Sequence, residues 1–342
     1  MNKHCYRMVF NKARGILMPV AEIAVSQGKA SGETSGKTVV PGAVRGSALR
    51  AFTFSAWATL AVNTVGLIMW PAMGQAQIVA DPSAPANQRP TILAAPNGVP
   101  LVNIQTPSVA GVSRNTYSQF DVQQQGAILN NSRTNVQTQL GGWVQANPWL
   151  ATGSARVILN EVNSSNPSLL QGYVEVAGSR AQVVIANPAG VTCDGGGFIN
   201  ASRTTLTTGS PILTGGNLDG YRVQGGAINI IGAGLDTSTA DYTDLIARAV
   251  QVNAGIWANQ LKVTAGANQV DAEHTVATPI AGTGAAPAFA IDVVQLGGMY
   301  AGKITLVGTE TGVGVRNAGN IGASVGAVIV TAEGRPENAG RI

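Results

Sequence analysis

Charge, aromatic rings and thiols are all scarce in this chain. Of 342 residues, 11% are Asp, Glu, Lys or Arg, 5% are aromatic, and there are two cysteines and two histidines. Each shortage removes a class of function. Cys5 lies in a basic leader, so the remainder keeps one thiol, Cys193, which can close no intrachain disulfide and build no two-cysteine zinc site. Asp194 beside it argues against the electropositive setting that activates a thiolate, so Cys193 reads as a small buried residue or an inert thiol. The acids are scattered, with Asp241 and Asp244 a spaced pair. His274 stands beside Asp271 and Glu273, but no serine in an elbow context accompanies it, and a solvated loop is the favoured reading. No Gly-rich phosphate loop ending in Lys-Ser/Thr is present. No catalytic residue, metal site or cofactor is therefore expected.

The net charge of +4 misleads as a guide to partners. Eight of the 21 basic residues and two of the 17 acidic ones fall in residues 1–76, which leaves 13 basic and 15 acidic residues beyond them, about −2. The basic residues there are dispersed, and a nucleic-acid binder would show a concentrated basic patch. The leader's basicity is a targeting signal. Basic residues up to Arg50 precede an apolar run over about 51–73, and the small residues Gly74-Gln75-Ala76 follow, which predicts a signal peptide cleaved after Ala76. Ala51 to Met73 is long enough to span a bilayer. Thr53, Ser55, Thr59, Asn63, Thr64 and Pro71 interrupt it, and a cleavage site follows, so export with removal is favoured over a permanent anchor.

Past the leader the chain is built of short apolar-polar alternations such as Ala155–Leu159, Gly172–Val176 and Ala181–Ile185, each stopped by Gly, Asn, Ser or Pro. Two Asn-Pro steps, Asn147-Pro148 and Asn187-Pro188-Ala189-Gly190, mark corners, because proline cannot donate to a strand ladder and sets a turn. Asn317-Ala318-Gly319 recurs 21 residues later as Asn338-Ala339-Gly340, with an earlier copy at Asn253-Ala254-Gly255. A period near that length with strand-turn-strand content predicts a solenoid whose coils bury their apolar faces on one another. About a dozen coils, each about 4.8 Å above the last, are expected. Residues 87–140 are expected to cover the N-terminal end, with Phe120–Val122 and Ala127–Asn131 as irregular strands and Asn97-Gly98 in a linker-like entry. The only helical period, Asp241–Val250, suggests a short helix or turn docked outside the wall, with Asp244 and Arg248 spaced to pair on one face. The final residues stop within a repeat, which suggests the first portion of something longer or a gene cut short.

The residues carry a family resemblance. Thr138–Pro148, Gly153–Val162, Val183–Cys193, Gly197–Asn200 and Gly297–Gly319 resemble the N-terminal secretion domain of two-partner-secretion exoproteins, which include filamentous haemagglutinins, haemolysins and growth-inhibition CdiA proteins. The leader resembles the extended signal peptide of that class. The organisation so implied is an extended signal peptide over 1–76, with its distinctive region at about 1–24, a linker at 77–86, and a secretion domain over 87–342 running into filament-type repeats from about 300. The implied fold is all-β, a right-handed parallel β-helix with an N-terminal cap and small extra-helical elements. The implied route is inner-membrane export, then passage through a cognate outer-membrane β-barrel transporter whose periplasmic domains bind this domain. Secretion or surface display follows, and downstream regions meet a target-cell receptor for adhesion or toxin delivery. By this resemblance Asn147, Pro148, Asn187, Pro188, Ala189 and Gly190 fall on the two secretion motifs, as folded corners or as an extended signal read by strand addition. Trp149 and Ala189 stand where the motifs usually carry a second asparagine, and Gly196 where many relatives carry a second cysteine.

Overall fold

The computed structural model describes residues 78–342 and, ahead of them, the backbone of two antiparallel strands, Tyr6–Asn11 and Ile16–Ala21. The apolar run of the leader, its spacer and the cleavage position at Ala76 lie outside the described residues. Residues 78–342 form a right-handed parallel β-helix of three walls. Wall A stacks eight parallel strands: Val112–Phe120, Val157–Val162, Ala181–Ala186, Ala201–Thr207, Tyr242–Ala247, the second halves of Gly255–Ala265 and Gly298–Gly308, and Val328–Ala332. Wall B stacks Pro100–Asn103, Ala127–Asn131, Tyr173–Gly178, Gly196–Ile199, Leu235–Thr237, the first halves of the two long strands, and Asn320–Ala323. Wall C runs from Ser168–Leu170 through Val191–Cys193, Ala227–Ile230, Ala249–Val252, Phe289–Val293 and Gly314–Asn317 to Pro336–Asn338. Each coil visits A, C and B in turn. The Asn-Ala-Gly repeats all sit at the corner from C to B, and Asn317 Nδ2 donates to Asn338 Oδ1 at 2.9 Å across one coil.

The strands are short because every corner needs residues that leave the ladder, and straight because identical positions stack. Along wall A the inward column reads Asn160, Ile185, Leu206, Leu245, Val263 and Leu306, in direct register. All six are buried, and the five apolar ones belong to one continuous core. The outward column, Leu159, Val184, Thr205, Asp244 and Lys262, would face water on a bare wall. Here a four-stranded antiparallel sheet lies on it, made of Ser210–Thr214, Asn217–Val223, Asn268–Asp271 and Ala277–Pro279. Leu218, Tyr221, Val223 and Val270 from that sheet close on Leu159, Val184 and Ile246 to form a second core. Wall A is thus buried on both faces, which explains its near-continuous apolar runs.

Several expectations need correction. Asp241–Val250 contributes no helix: Tyr242–Ala247 is an interior strand of wall A, and its burial on both faces mimics a helical period. Asp244 and Arg248 do not pair; Asp244 meets Arg203, and Arg248 meets Glu310. The coils number eight in wall A, short of the expected dozen, because hairpins leaving the helix consume chain, and seven gaps of ~4.8 Å give a stack about 34 Å long. Val112–Phe120 and Ala127–Asn131 are regular strands of the first full coil. The cover is instead Ile78–Ala80, antiparallel on Val112–Phe120, with the hairpin Thr91–Ala94/Pro100–Asn103. Asn97-Gly98 turns that hairpin, with Gly98 at φ +87°, so it belongs to the cap and not to a linker. Within 77–86, read as linker, Ile78 is buried in the main core. Cys193 is fully buried in wall C, and burial pushes its thiol up to about 12. A Cβ at Gly196 would stand 3.0 Å from Leu170 Cβ, so the site of the missing second cysteine is tightly occupied.

Two measurements test this packing. Leu245→Ala should lower the unfolding free energy by about 2–5 kcal/mol in chemical denaturation, because it leaves a cavity in the inward column, whereas Leu296→Ala, 86% exposed, should stay within about 0.5 kcal/mol. The Arg248 guanidinium grips Glu310 through two bonds of 2.7 and 3.1 Å and holds its carboxyl below the ordinary value of 4.5, against an opposing burial effect. A depressed carboxylate stabilises the fold above its unfolded value and loses that contribution as pH falls. Wild type should therefore lose more stability than Glu310→Gln on acidification from about pH 6 to about pH 3.

Candidate functional site: two asparagine-proline corners

Both corners are built the same way. Asn147 is 3% exposed and extended, as the residue before proline must be, with φ −77° and ψ 116°. Its Oδ1 accepts from the Trp149 amide at 3.0 Å and caps the short 3-10 turn Pro148–Leu150. Its Nδ2 donates to the carbonyls of Ile104, at 2.9 Å, and Asn130, at 2.8 Å. Asn187 is fully buried. Its Oδ1 accepts from Ala189 N at 3.0 Å, and its Nδ2 donates to Asn166 O at 2.9 Å and Ser168 Oγ at 3.0 Å. Gly190, at φ +125°, closes this turn from wall A into wall C, with its carbonyl accepting from Ser168 N.

The chemistry of an asparagine side chain explains the choice. One amide offers an acceptor to its own turn and two donors to neighbouring coils, so it satisfies three backbone or hydroxyl groups that no apolar residue could reach. Proline supplies a fixed φ and lacks the amide hydrogen that the turn would otherwise orphan. Asn147 is held by residues 104, 130 and 132, and Asn187 by 166, 168 and 207, so the corners are independent turns. The residues between them and solvent differ. Leu150 is buried in the main core, whereas Trp149 is 44% exposed and its indole N–H donates to Thr91 Oγ1 at 3.2 Å, tying the corner to the cap.

A buried polar cluster escaped the sequence reading. His274 is no solvated loop residue: its side chain is 1% exposed, at φ +60°, with Nδ1 at 3.1 Å from Asp244 Oδ1 and its ring beside Tyr221 at 5.5 Å. Arg203 Nε lies 2.9 Å from Asp244 Oδ2, and Lys262 Nζ donates to the His274 carbonyl. The Asp244 contacts are close, yet poorly aligned for hydrogen bonding. They pin the turn after Asn268–Asp271 onto wall A. A cavity of about 360 Å³ adjoins the cluster, lined in part by Arg203, Asp244, Lys262 and His274. No sequence signal joins Arg203, Asp244 and Lys262, which become neighbours only through the stacking of coils. Among the described residues no group of three or more His, Cys, Asp or Glu is arranged to hold a metal.

This architecture has known counterparts. The TPS secretion domain family matches residues 76–338, and the family described as Extended Signal Peptide of Type V secretion system matches residues 1–51. The chain belongs to the TPS secretion domain family, and its leader to the extended signal peptides. It is 58% identical over 343 residues to "Toxin CdiA" of Yersinia pestis, covering 100% of this chain and 10% of that one. It is 49% identical over 338 residues to "tRNA nuclease CdiA-2" of Burkholderia pseudomallei strain 1026b, covering 98% and 10%. The chain thus spans about a tenth of the length of these relatives. The crystal structure of a filamentous hemagglutinin secretion domain superposes with a TM-score of 0.66 at 33% identity, covering 78% of this chain and 99% of that one. Leader and domain together mark the chain for export and display at the bacterial surface. The family is a secretion domain and not an enzyme class.

The corners' geometry sets an expectation for stability. Asn187→Ala leaves three hydrogen-bond partners unmatched, one of them the buried Ser168 hydroxyl, and should lower the unfolding free energy by about 1–3 kcal/mol in denaturant titration, while leaving the circular dichroism of the folded chain unchanged.

Proposed function

We propose that residues 78–342 act as the export-directing domain of a much larger exoprotein, recognised in the periplasm by the periplasmic domains of a cognate outer-membrane β-barrel transporter after passage through the inner-membrane export machinery. The observation that carries this reading is the family match across nearly the whole domain, joined to a leader of the matching class. Asn147-Pro148 and Asn187-Pro188-Ala189-Gly190 are the secretion motifs. The burial of both asparagines supports a role in forming corners once the chain folds, and leaves strand addition to the transporter for the chain while it is extended.

The exoprotein's own activity lies in regions outside this match. Delivery of a toxin to neighbouring bacteria through a receptor on the target cell is the favoured reading, since the relatives at 58% and 49% identity bear toxin and nuclease names. Adhesion is the second reading, favoured by the likeness to a filamentous hemagglutinin domain. Catalysis is assigned to those outer regions and not to this domain, a reading supported by the match to a secretion-domain family.

Export supplies the test. Coexpressed with the matching transporter, Asn147→Ala and Asn187→Ala chains should appear outside the cell at reduced levels, with the remainder retained in the periplasm, while the purified variants still fold. Wild-type export of both variants would remove the motifs from the recognition step.

A further inference from the structure

The outward face of wall B carries two aromatic rings on neighbouring coils, Trp257 and Tyr300, in direct register. They are 43% and 42% exposed, with centroids 6.5 Å apart and planes 21° apart. The separation is at the wide end of offset stacking, and each ring also lies back over a glycine of its own strand, so the two spread across the wall as one apolar platform. Glycines make this possible. The indole folds back over Gly255, where a Cβ would stand 2.5 Å from the ring, and Tyr300 lies over Gly298, where it would stand 2.7 Å away. A ring laid along its strand in this way turns a π face, and not an edge, toward solvent. On the next coil Gly322 stands opposite Tyr300 and leaves that end of the platform open.

Beside the rings runs a groove of about 560 Å³, rimmed by the hydroxyls of Ser238 and Ser324 and the amide of Asn259, with Val325 at one end. No charged side chain lines it. Asp241 and Lys303 line only the adjoining groove, so the platform itself disfavours the partners that cations or carboxylates would select, such as nucleic acids or acidic peptides. A flat apolar platform flanked by hydroxyl and amide groups, without charge, is complementary to one chemistry: the C–H face of a pyranose, with its hydroxyls reaching the rim. The spacing of the rings by one coil suits consecutive sugars of a chain.

We propose that Trp257 and Tyr300 form a binding site for a neutral glycan chain on wall B, separate from the asparagine-proline corners. The two rings supply stacking. Asn259 Nδ2 donates to the Ser238 and Ala240 carbonyls and Ser238 Oγ donates to Asp236, so Asn259 Oδ1 and Ser238 Oγ serve the sugar as acceptors, and the Ser324 hydroxyl orients it as well. Because both rings stand on the surface, their removal leaves the inward columns intact.

The test is tryptophan fluorescence titration of the full chain with cellohexaose, chitohexaose and maltohexaose, alongside thermal melting. Wild type should show a saturable change with at least one of them. Trp257→Ala monitored by calorimetry, and Tyr300→Ala by fluorescence, should weaken binding by at least about tenfold, equivalent to about 1.4 kcal/mol. Tyr300→Phe should retain it, and Trp143→Ala, which removes an exposed ring elsewhere, should bind as wild type. Absence of binding by all three sugars at millimolar concentration overturns the proposal. So does binding that survives Trp257→Ala, or ring removal that lowers the melting temperature without any sugar response, which would make the pair a structural ladder.

Discussion

Register governs this molecule. Every coil places its residues directly over those of the coil before, so one inward position repeats as an apolar column and one outward position as a column facing the covering sheet. A slip of one residue would turn Leu206, Leu245 and Val263 outward together and bring Thr205, Asp244 and Lys262 into the core. Backbone hydrogen bonds between parallel strands hold the coils, but they do not select the register. The columns and the corners do that.

The corners matter because a solenoid turns the chain three times per coil and must satisfy backbone groups at each turn. Buried asparagines do this repeatedly. Asn115, Asn130, Asn131 and Asn160 join Asn147 and Asn187 in bonding carbonyls or side chains of adjacent coils, and Tyr117 donates to Asn160 at 2.9 Å. Each such side chain is fully compensated only in the correct stack, so it contributes to specificity as well as stability. The two Asn-Pro corners are therefore complete only when the segments that carry residues 104, 130, 166 and 168 are in place.

Much of this was legible in the sequence, and the rest failed for identifiable physical reasons. Alternating runs ended by Gly, Asn and Pro pointed to short strands, and the 21-residue recurrence of Asn-Ala-Gly marked a corner repeated coil after coil. The Asp241–Val250 segment misled because a strand buried on both faces loses its period of two. The cap misled because Ile78–Ala80 and Thr91–Ala94 pair antiparallel and lie beyond the repeat. His274 misled because its partners, Asp244 and Arg203, are distant in sequence and meet only once the outer sheet folds over wall A. The Trp257–Tyr300 platform was hidden for the same reason: two strands 43 residues apart become adjacent coils.

Native-state amide hydrogen exchange tests the central claim most directly. Slow exchange is predicted at Ile185, Leu206, Leu245 and Val263 as one cooperative block, and also at the Trp149 and Ala189 amides that the two corner asparagines hold. Exchange of the Trp149 and Ala189 amides at the rate of a free loop, or protection confined to separate hairpins, would contradict a stacked helix pinned at its corners.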